Sequence, residues 1–281
     1  GRFMDDGQYN VAVGSRAMLG ASTGNNATFN TAVGQAALLA ITTGDENTAL
    51  GSNAGDALTT GAYNTLLGYD AGSTITTGYG NVVVGREAMK AAATGVLENT
   101  IVGYTAGNNG SFAADKVVLI GSQAGQGAMT DAADGTVAIG YQAGYALTSG
   151  ANNIAIGNEA LPAATTGGYN TVLGHYAGHD ITTAGYNTLL GFGTGQRLVT
   201  ASSTNNQHNT YVGYQAGALS TGYDNVIVGS EAGDALTSGN SNVVIGRNAL
   251  STAQTVTDCV IIGRETGNAI AAGVAVAGVK A

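Results

Sequence analysis

The segment Asn47–Gly78 reads NTALGSNAGDALTTGAYNTLLGYDAGSTITTG and contains the same 17-residue pattern twice. The pattern begins with Asn, a β-branched residue, two apolar residues and Gly, and we number its positions as slots from that first residue. Fifteen copies follow one another along the chain, and they begin at Asn10, Asn30, Asn47, Asn64, Asn81, Asn99, Val117, Thr136, Asn153, Asn170, Asn187, Asn209, Asn225, Asn242 and Cys259. Self-similarity at so short a period predicts a solenoid of stacked coils rather than a globular domain.

The amino-acid composition is unusual, but it indicates an ordered chain. Of its 281 residues 46 are glycine, 44% are hydrophobic and 10% are charged, against a usual charged fraction of about 25%. Disordered segments have low hydrophobicity and high charge, so this chain is expected to bury a core. A net charge of −9 without any basic cluster argues against nucleic acid as a partner. No apolar run reaches the roughly 18 residues of a membrane span, and the single cysteine, Cys259, excludes an internal disulfide framework.

Each of the first five slots has its own steric restriction. Slot two is always Val, Thr or Ile, which favours extended backbone, and slot four is always Val, Leu or Ile. In a short strand, slots two and four point to one face and slot three to the other. Slot five is glycine in every copy, for example Gly51, Gly68, Gly85 and Gly157, which predicts a turn with positive φ or a close backbone approach.

One copy of the pattern therefore predicts one coil of an all-β, parallel β-solenoid (β-roll or β-helix) of about fifteen 17-residue coils. A second short strand is expected near slot twelve, and the asparagines of slot one are expected to stack amide on amide from coil to coil. We assign the structural core to slot four, with the residues Leu50, Leu67, Val84, Ile120, Ile139, Ile156, Leu173 and Ile245.

Slot three is apolar as well, so both faces of the strand are apolar, as in strands that are buried on two sides. If slot four fills the coil, slot three forms an outward apolar stripe that a soluble monomer does not normally expose. We therefore assign an oligomer interface to slot three, with Leu66, Val83, Ile101 and Leu119 as its residues, and expect a homotrimer.

The repeats NTALGSNAG, NTLLGYDAG, NVVVGREAM and NIAIGNEAL are similar to those of bacterial and phage tail-fibre proteins, and more distantly to the head repeats of trimeric autotransporter adhesins. The resemblance extends over residues 9–268, which we take as the repeat domain, with junctions at 1–8 and 269–281. It implies a homotrimeric, extracellular fibre on a virion tail or cell surface that forms or presents an adhesive surface for host attachment. The repeat is longer than that of the adhesin heads.

Candidate chemical groups are interpreted mostly as structural. His175 and His179 in GHYAGHD are read as surface polar residues rather than metal ligands, and GFGTG at 191–195 as a glycine corner rather than a phosphate loop. Cys259 is read as a small core residue. The acidic residues of slot seven are read as a solvated face, and they are Asp70, Glu87, Glu159, Glu231 and Glu265. No catalytic residue, metal site or cofactor is assigned.

Tyrosines recur in two positions that are expected to face outward. They fill slot six at Tyr69, Tyr104, Tyr141 and Tyr214, and they precede slot one at Tyr9, Tyr63, Tyr169 and Tyr186. They predict either aromatic ladders that pack between coils or a sugar-binding face, for which we assign the four slot-six tyrosines.

Three functions remain open from the sequence. The first is a non-enzymatic structural and adhesive fibre segment that binds cell-surface glycans. The second is a self-assembling extracellular filament that stacks head to tail without a specific receptor. The third is an ice-binding solenoid, suggested by paired threonines such as Thr59-Thr60. Because those threonines are adjacent, only one of each pair can point outward.

Overall fold

The computed structural model describes residues 7–20, 25–92, 95–108, 110, 112–198, 207–252 and 255–268. These residues form an all-β, parallel β-solenoid of fifteen strands and about 14 turns, without an α-helix. The predicted fold class is therefore confirmed at the level of a single chain. The described residues leave out nearly all of the two expected junctions, since residues 1–6 and 269–281 lie outside them. Residues 21–24, 109, 111 and 199–206 also lie outside the described part of the chain.

Every coil contributes one strand of three residues, and this strand occupies slots two to four. The strands are β1 (Val11–Val13), β2 (Thr31–Val33), β3 (Thr48–Leu50), β4 (Thr65–Leu67), β5 (Val82–Val84), β6 (Thr100–Val102), β7 (Val118–Ile120), β8 (Val137–Ile139), β9 (Ile154–Ile156), β10 (Thr171–Leu173), β11 (Thr188–Leu190), β12 (Thr210–Val212), β13 (Val226–Val228), β14 (Val243–Ile245) and β15 (Val260–Ile262). A short 3-10 helix, Asp131–Ala133, lies in the irregular segment before β8. The second strand expected near slot twelve is wrong, because that segment forms bends and turns.

The chain divides into two compact units, residues 1–139 with β1 to β8 and residues 140–281 with β9 to β15. Within each unit, consecutive strands pair in parallel and in register. Leu66 of β4, for example, lies opposite Ala49 of β3 and Val83 of β5. The register places the same slot of successive coils in one column, so a column is the natural unit for describing surface and core.

The core lies under slot three, which reverses the sequence-based assignment. Leu66, Val83, Ile101 and Leu119, predicted at an oligomer interface, are completely buried inside the coil. The slot-four residues predicted as core face outward and are partly or largely exposed, and they are Leu50, Leu67, Val84, Ile120, Ile139, Ile156, Leu173 and Ile245. The alternation along the strand was predicted correctly, but both faces are apolar, so alternation alone did not show which face lies inside.

The interior is filled jointly by slots three, nine and twelve. Where slot three is large, slot nine is often glycine: a methyl group at Gly125 would lie 2.7 Å from the side chain of Leu119. Where slot three is Ala32, slot nine is the buried Leu38. Slot twelve supplies the buried side chains Ile41, Leu58, Ile75, Leu147, Ile181, Leu198 and Leu236. This exchange of volume between slots keeps the interior close-packed without a fixed residue at any one of them.

Tyr211 shows the same compensation with a polar group. It replaces an aliphatic residue in slot three of its coil, and slot twelve of that coil is the small residue Ser220. The hydroxyls of Tyr211 and Ser220 are hydrogen-bonded at 2.8 Å. Burial raises the pKa of the Tyr211 hydroxyl well above its ordinary value. The buried tyrosine is therefore a neutral and satisfied core residue.

The predicted asparagine ladder of slot one is confirmed, and its side-chain amides also donate to backbone carbonyls. Asn64 donates from its side-chain amide to Oδ1 of Asn47 at 3.0 Å and to the carbonyl of Gly78 at 2.8 Å. Its own Oδ1 accepts the backbone N–H of Asn81 at 3.0 Å. These side chains are fully buried, so the ladder satisfies polar groups that would otherwise destabilise the coil corner.

The sequence predicted positive φ at the corners of the coil for glycine only, but other residue types also have it. Gly68 in slot five has φ 139°, and a methyl group there would lie 2.4 Å from the carbonyl oxygen of Gly85, as the invariant glycine predicts. Positive φ also occurs at non-glycine residues before slot one (Tyr63, 59°), in slot seven (Asp70, 53°) and in slot nine (Met89, 48°). Each costs roughly 1–2 kcal/mol in isolation, and bonds between coils, such as Asp70 N–H to the Ser52 carbonyl, hold the corners in place.

Candidate functional site

The outward side of the strands is the most extensive candidate surface. We call it the strand face and define it, in each unit separately, as slots two and four of the strands, β1 to β8 in the first unit and β9 to β15 in the second. Only Val, Thr, Leu and Ile occupy these slots, so the strand face carries no charged side chain. Leu50, Leu173 and Val82 are 52%, 49% and 38% exposed. In each unit the columns repeat these side chains coil after coil, and an apolar surface of this kind usually marks an interaction site.

Aromatic residues lie on both sides of the strand along the chain. In the column before slot one, Tyr9 stacks on Phe29 with ring centroids 5.0 Å apart. Further on, Tyr169 stacks on Tyr186 at 4.9 Å, and Tyr186 stacks on His208 at 5.1 Å. These distances are close to the spacing of neighbouring strands, so the ladder interpretation of the tyrosines is confirmed for these pairs.

The slot-six tyrosines assigned to glycan binding face outward, and each is between 45% and 48% exposed. The structure does not leave all their rings open. The guanidinium of Arg86 lies 5.9 Å from the ring centroid of Tyr69 and 5.6 Å from that of Tyr104, so its cation–π contacts join three consecutive coils. Tyr214 stacks on Phe192 at 5.4 Å. Packing between coils therefore uses part of the surface that a sugar would need.

The acidic column of slot seven is paired more tightly than a solvated face. Glu87 pairs with the neighbouring Arg86 at 3.0 Å. Asp70, however, is buried, and its carboxylate accepts from Lys90 at 2.7 Å and from the amide of Asn53 at 2.9 Å. Burial by itself would raise the pKa of Asp70, but the bonds from Lys90 and Asn53 outweigh it and hold that pKa below its ordinary value. The role of Lys90 was missed in the sequence.

Lys90→Met is expected to lower the free energy of unfolding at pH 7, because the buried Asp70 carboxylate loses its cation. A depressed carboxyl pKa gives stability that is present above the unfolded pKa and is lost as pH falls through the folded pKa. The unfolding curves of wild type and Lys90→Met should therefore converge in acid. Urea denaturation at pH 7 and at about pH 2 tests this. Lys116→Met, which removes an exposed lysine, is the control, and an equal loss at both pH values would contradict the role of Asp70.

His175 and His179 each contact neighbouring side chains. His179 bonds through Nδ1 to Asp180 at 2.6 Å and through Nε2 to Glu159 at 3.4 Å, while His175 stacks on Tyr176 at 4.0 Å. No group of three or more His, Cys, Asp or Glu side chains in the described part of the chain is placed to hold a metal ion.

Two further sequence motifs are structural. The GFGTG stretch at 191–195 is a turn of the coil, with Gly191 in the slot-five conformation at φ 138°. Cys259 is buried at the end of the asparagine ladder, and its backbone N–H donates to Oδ1 of Asn242 at 3.1 Å.

The paired threonines divide between two roles. In Thr59-Thr60, the Thr59 hydroxyl donates to the carbonyl of Thr76 at 3.1 Å, and Thr60 is exposed. Thr42 and Thr165 make the same bond to the next coil. One threonine of such a pair thus links coils and the other faces solvent. The threonines do not form the two outward columns on which an ice-binding surface would depend.

A groove in the second unit was not foreseen. It has a volume of about 270 Å³ and is lined by Ser149, Ala151, Thr166, Tyr169, Thr183 and Tyr186, with the backbone of Gly167, Gly168 and Gly185. Its residues come from three consecutive coils, so no local sequence motif describes it. The only signal in the sequence was the pair of tyrosines that precede slot one.

The fold and surface together define a tandem-repeat β-solenoid with an uncharged strand face and exposed aromatic columns. Comparison of the chain with protein-family models, with curated proteins and with solved structures gives no match. Among the described residues, none belongs to a helix with the length and hydropathy needed to cross a membrane.

Proposed function

We propose that the chain is a non-enzymatic structural module of an extracellular fibre, which assembles as a homotrimer through its strand face and takes part in attachment to a cell surface. The observation that carries the proposal is the strand face itself. Every described strand presents two uncharged side chains outward, most of them aliphatic. The resemblance of the repeats to tail-fibre and adhesin-head repeats supports the trimer, the extracellular location and the attachment role.

A second copy of the chain is the partner that fits the strand face best. An uncharged aliphatic surface needs an equally uncharged partner, since a charged partner would lose solvation without gaining an ion pair. Another copy presents the same columns, and its coils repeat with the same strand spacing of about 4.8 Å. Side chains of one copy can then pack between coils of the other along the whole contact. Three copies around one axis give a closed assembly.

The proposal is tested by placing lysines on the strand face of three successive coils with Leu50→Lys, Leu67→Lys and Val84→Lys. Wild type is expected to scatter light as three times the 27.6 kDa chain, because the apolar faces are shielded only in the assembly. The triple variant is expected to dissociate or precipitate, because like charges would meet at the contact.

The control places lysines in slot six of the same coils with Ser52→Lys and Tyr69→Lys, beside the native Arg86. This variant should keep the wild-type mass. A well-behaved single-chain mass for wild type would refute the trimer. A mass that grows without limit with concentration would instead support head-to-tail stacking into a filament.

A further inference from the structure

The Tyr169–Tyr186 groove combines an aromatic ring with hydroxyl groups at one site. Tyr169 and Tyr186 are 52% and 42% exposed, and their planes are 15° from parallel. Ser149, Thr166 and Thr183 also line the groove. No Asp, Glu, Lys or Arg is among its lining residues. The lining therefore offers an apolar ring face and hydrogen-bonding groups without a net charge.

Tyr169 is the first ring of this aromatic ladder and the more exposed of the two tyrosines that line the groove. Tyr186 lies between two rings, Tyr169 and His208, so both of its faces are covered. Tyr169 has the ring of Tyr186 on one face, and its other face is directed toward the preceding coil, where the exposed Asn152 holds the same position and does not line the groove. The aromatic ladder thus begins at Tyr169, beside Ala151 and Ser149 of the preceding coil.

Glycine backbone forms part of the groove lining, at Gly167, Gly168 and Gly185. A methyl group at Gly167 would lie 2.1 Å from the carbonyl oxygen of Ala184, and one at Gly168 would lie 3.0 Å from that of Ala151. Backbone therefore forms this part of the lining, and side chains are excluded from it. A volume of about 270 Å³ is below the roughly 300–1,000 Å³ of pockets for drug-sized ligands. It suits one six-membered sugar ring.

We infer that this groove binds one neutral pyranose residue of a glycan, with the C–H face of the sugar on the ring of Tyr169. The hydroxyls of the sugar then bond to Ser149, Thr166 and the glycine backbone. A neutral sugar matches the lining because it has an apolar face and many hydroxyls but no charge for the groove to satisfy. The inference deepens the proposed attachment function and rests on it for the biological source of the glycan.

Other tyrosines are less suited to this role. Tyr69 and Tyr104 share Arg86 as a cation–π partner, so a sugar would have to displace a guanidinium. Tyr63 meets Tyr79 edge to face, with planes 61° apart, so these two rings do not form a stacked ladder. The glycan-binding assignment therefore moves from slot six to the position before slot one.

The test is titration of the full chain with methyl glycosides of glucose, galactose, mannose and N-acetylglucosamine, followed by saturation-transfer NMR and calorimetry. At least one is expected to bind with a Kd in the millimolar range, as is usual for so small a contact. Tyr169→Ala should weaken binding at least tenfold, and Tyr169→Phe should retain it because the ring remains. Thr166→Ala should weaken binding several-fold, and Tyr63→Ala should leave it unchanged.

Circular dichroism of each variant separates loss of binding from loss of folding, and light scattering separates it from loss of assembly. Tyr169→Ala should keep the wild-type mass. The strand-face triple-lysine variant changes the mass through residues of the first unit, so either hypothesis can fail without the other. Equal binding by wild type and Tyr169→Ala, or absence of binding by all four glycosides, would overturn the inference.

Discussion

Leu66→Asp is expected to lower the free energy of unfolding by about 4 kcal/mol or more, whereas Leu67→Asp leaves the coil folded. Leu66 is completely buried, and its methyl groups fill the space above Gly55 and Gly72. An aspartate there would bury a carboxylate without a partner and leave a cavity. Leu67 is the next residue of the same strand, but it lies on the strand face and is partly exposed. Its replacement places a charge where water can reach it in a single chain.

This pair is a matched comparison, because the two substitutions are chemically identical and one residue apart. Thermal unfolding followed by circular dichroism measures the stability of each variant, and light scattering measures its mass. Leu67→Asp should affect mass more than the stability of the coil, since its charge lies on the proposed contact. If Leu67→Asp unfolds the chain and Leu66→Asp does not, the core lies under slot four and the inside-outside assignment is reversed.

Gly68→Ala is expected to cost about 3 kcal/mol or more. The added methyl group would lie 2.4 Å from the carbonyl oxygen of Gly85, and φ at Gly68 is 139°, a conformation that L residues rarely adopt. The clash is with backbone of the next coil, so no side chain can rotate away to relieve it. Relief requires two coils to move apart, which would weaken the strand pairing on either side.

Gly80→Ala is the control for this effect. Gly80 has φ 68°, and the nearest atom to an added methyl group there is 3.6 Å away. Left-handed backbone without a clash should cost roughly 1–2 kcal/mol. Urea denaturation measures the stability of both variants: if the slope of the unfolding free energy against urea is unchanged, the shift of each midpoint gives the loss of stability. A loss for Gly68→Ala no larger than that for Gly80→Ala would show that coil spacing adapts to a side chain.

The fold could be predicted from sequence because each coil makes the same contacts as its neighbours. The glycine of slot five and the β-branched residue of slot two recur in all fifteen copies, and the asparagine of slot one recurs in twelve. Their steric and hydrogen-bonding effects therefore add along the chain. Asn64 illustrates this, since its bonds to Asn47 and Asn81 follow from the repeat alone. The strand position and parallel pairing were predicted on the same ground.

The choice between the two strand faces could not be read from hydrophobicity, because slots three and four are both apolar. The sizes of the residues in the two slots do distinguish the inner face from the outer face. Slot three varies from Ala32 to Tyr211, and in these two coils the change is matched by Leu38 in slot nine and by Ser220 in slot twelve. Slot four stays within Val, Leu and Ile. Compensating volumes indicate shared interior space, whereas a column of constant size indicates a regular outer surface.

For the candidate glycan site, the sequence predicted the residue type, tyrosine, but not its position in the coil. Outward tyrosines were expected from their spacing, but the sequence did not show that Arg86 lies between Tyr69 and Tyr104. The groove at Tyr169 depends on residues 149 to 186 of three coils and on the absence of side chains at Gly167 and Gly168. Such a site arises from stacking of different coils, so it is visible only when the columns are placed beside one another.

The asparagine ladder has a direction, and this has an evolutionary consequence. Within a run of asparagines, Oδ1 accepts from the following coil and the side-chain amide donates to the preceding one, as between Asn47 and Asn64. A gene duplication or deletion of one whole repeat joins an acceptor to a donor of the same kind and leaves the chain polarity unchanged. The number of coils can therefore drift by recombination between identical sites. Selection can then adjust the length of the array without having to redesign its interior.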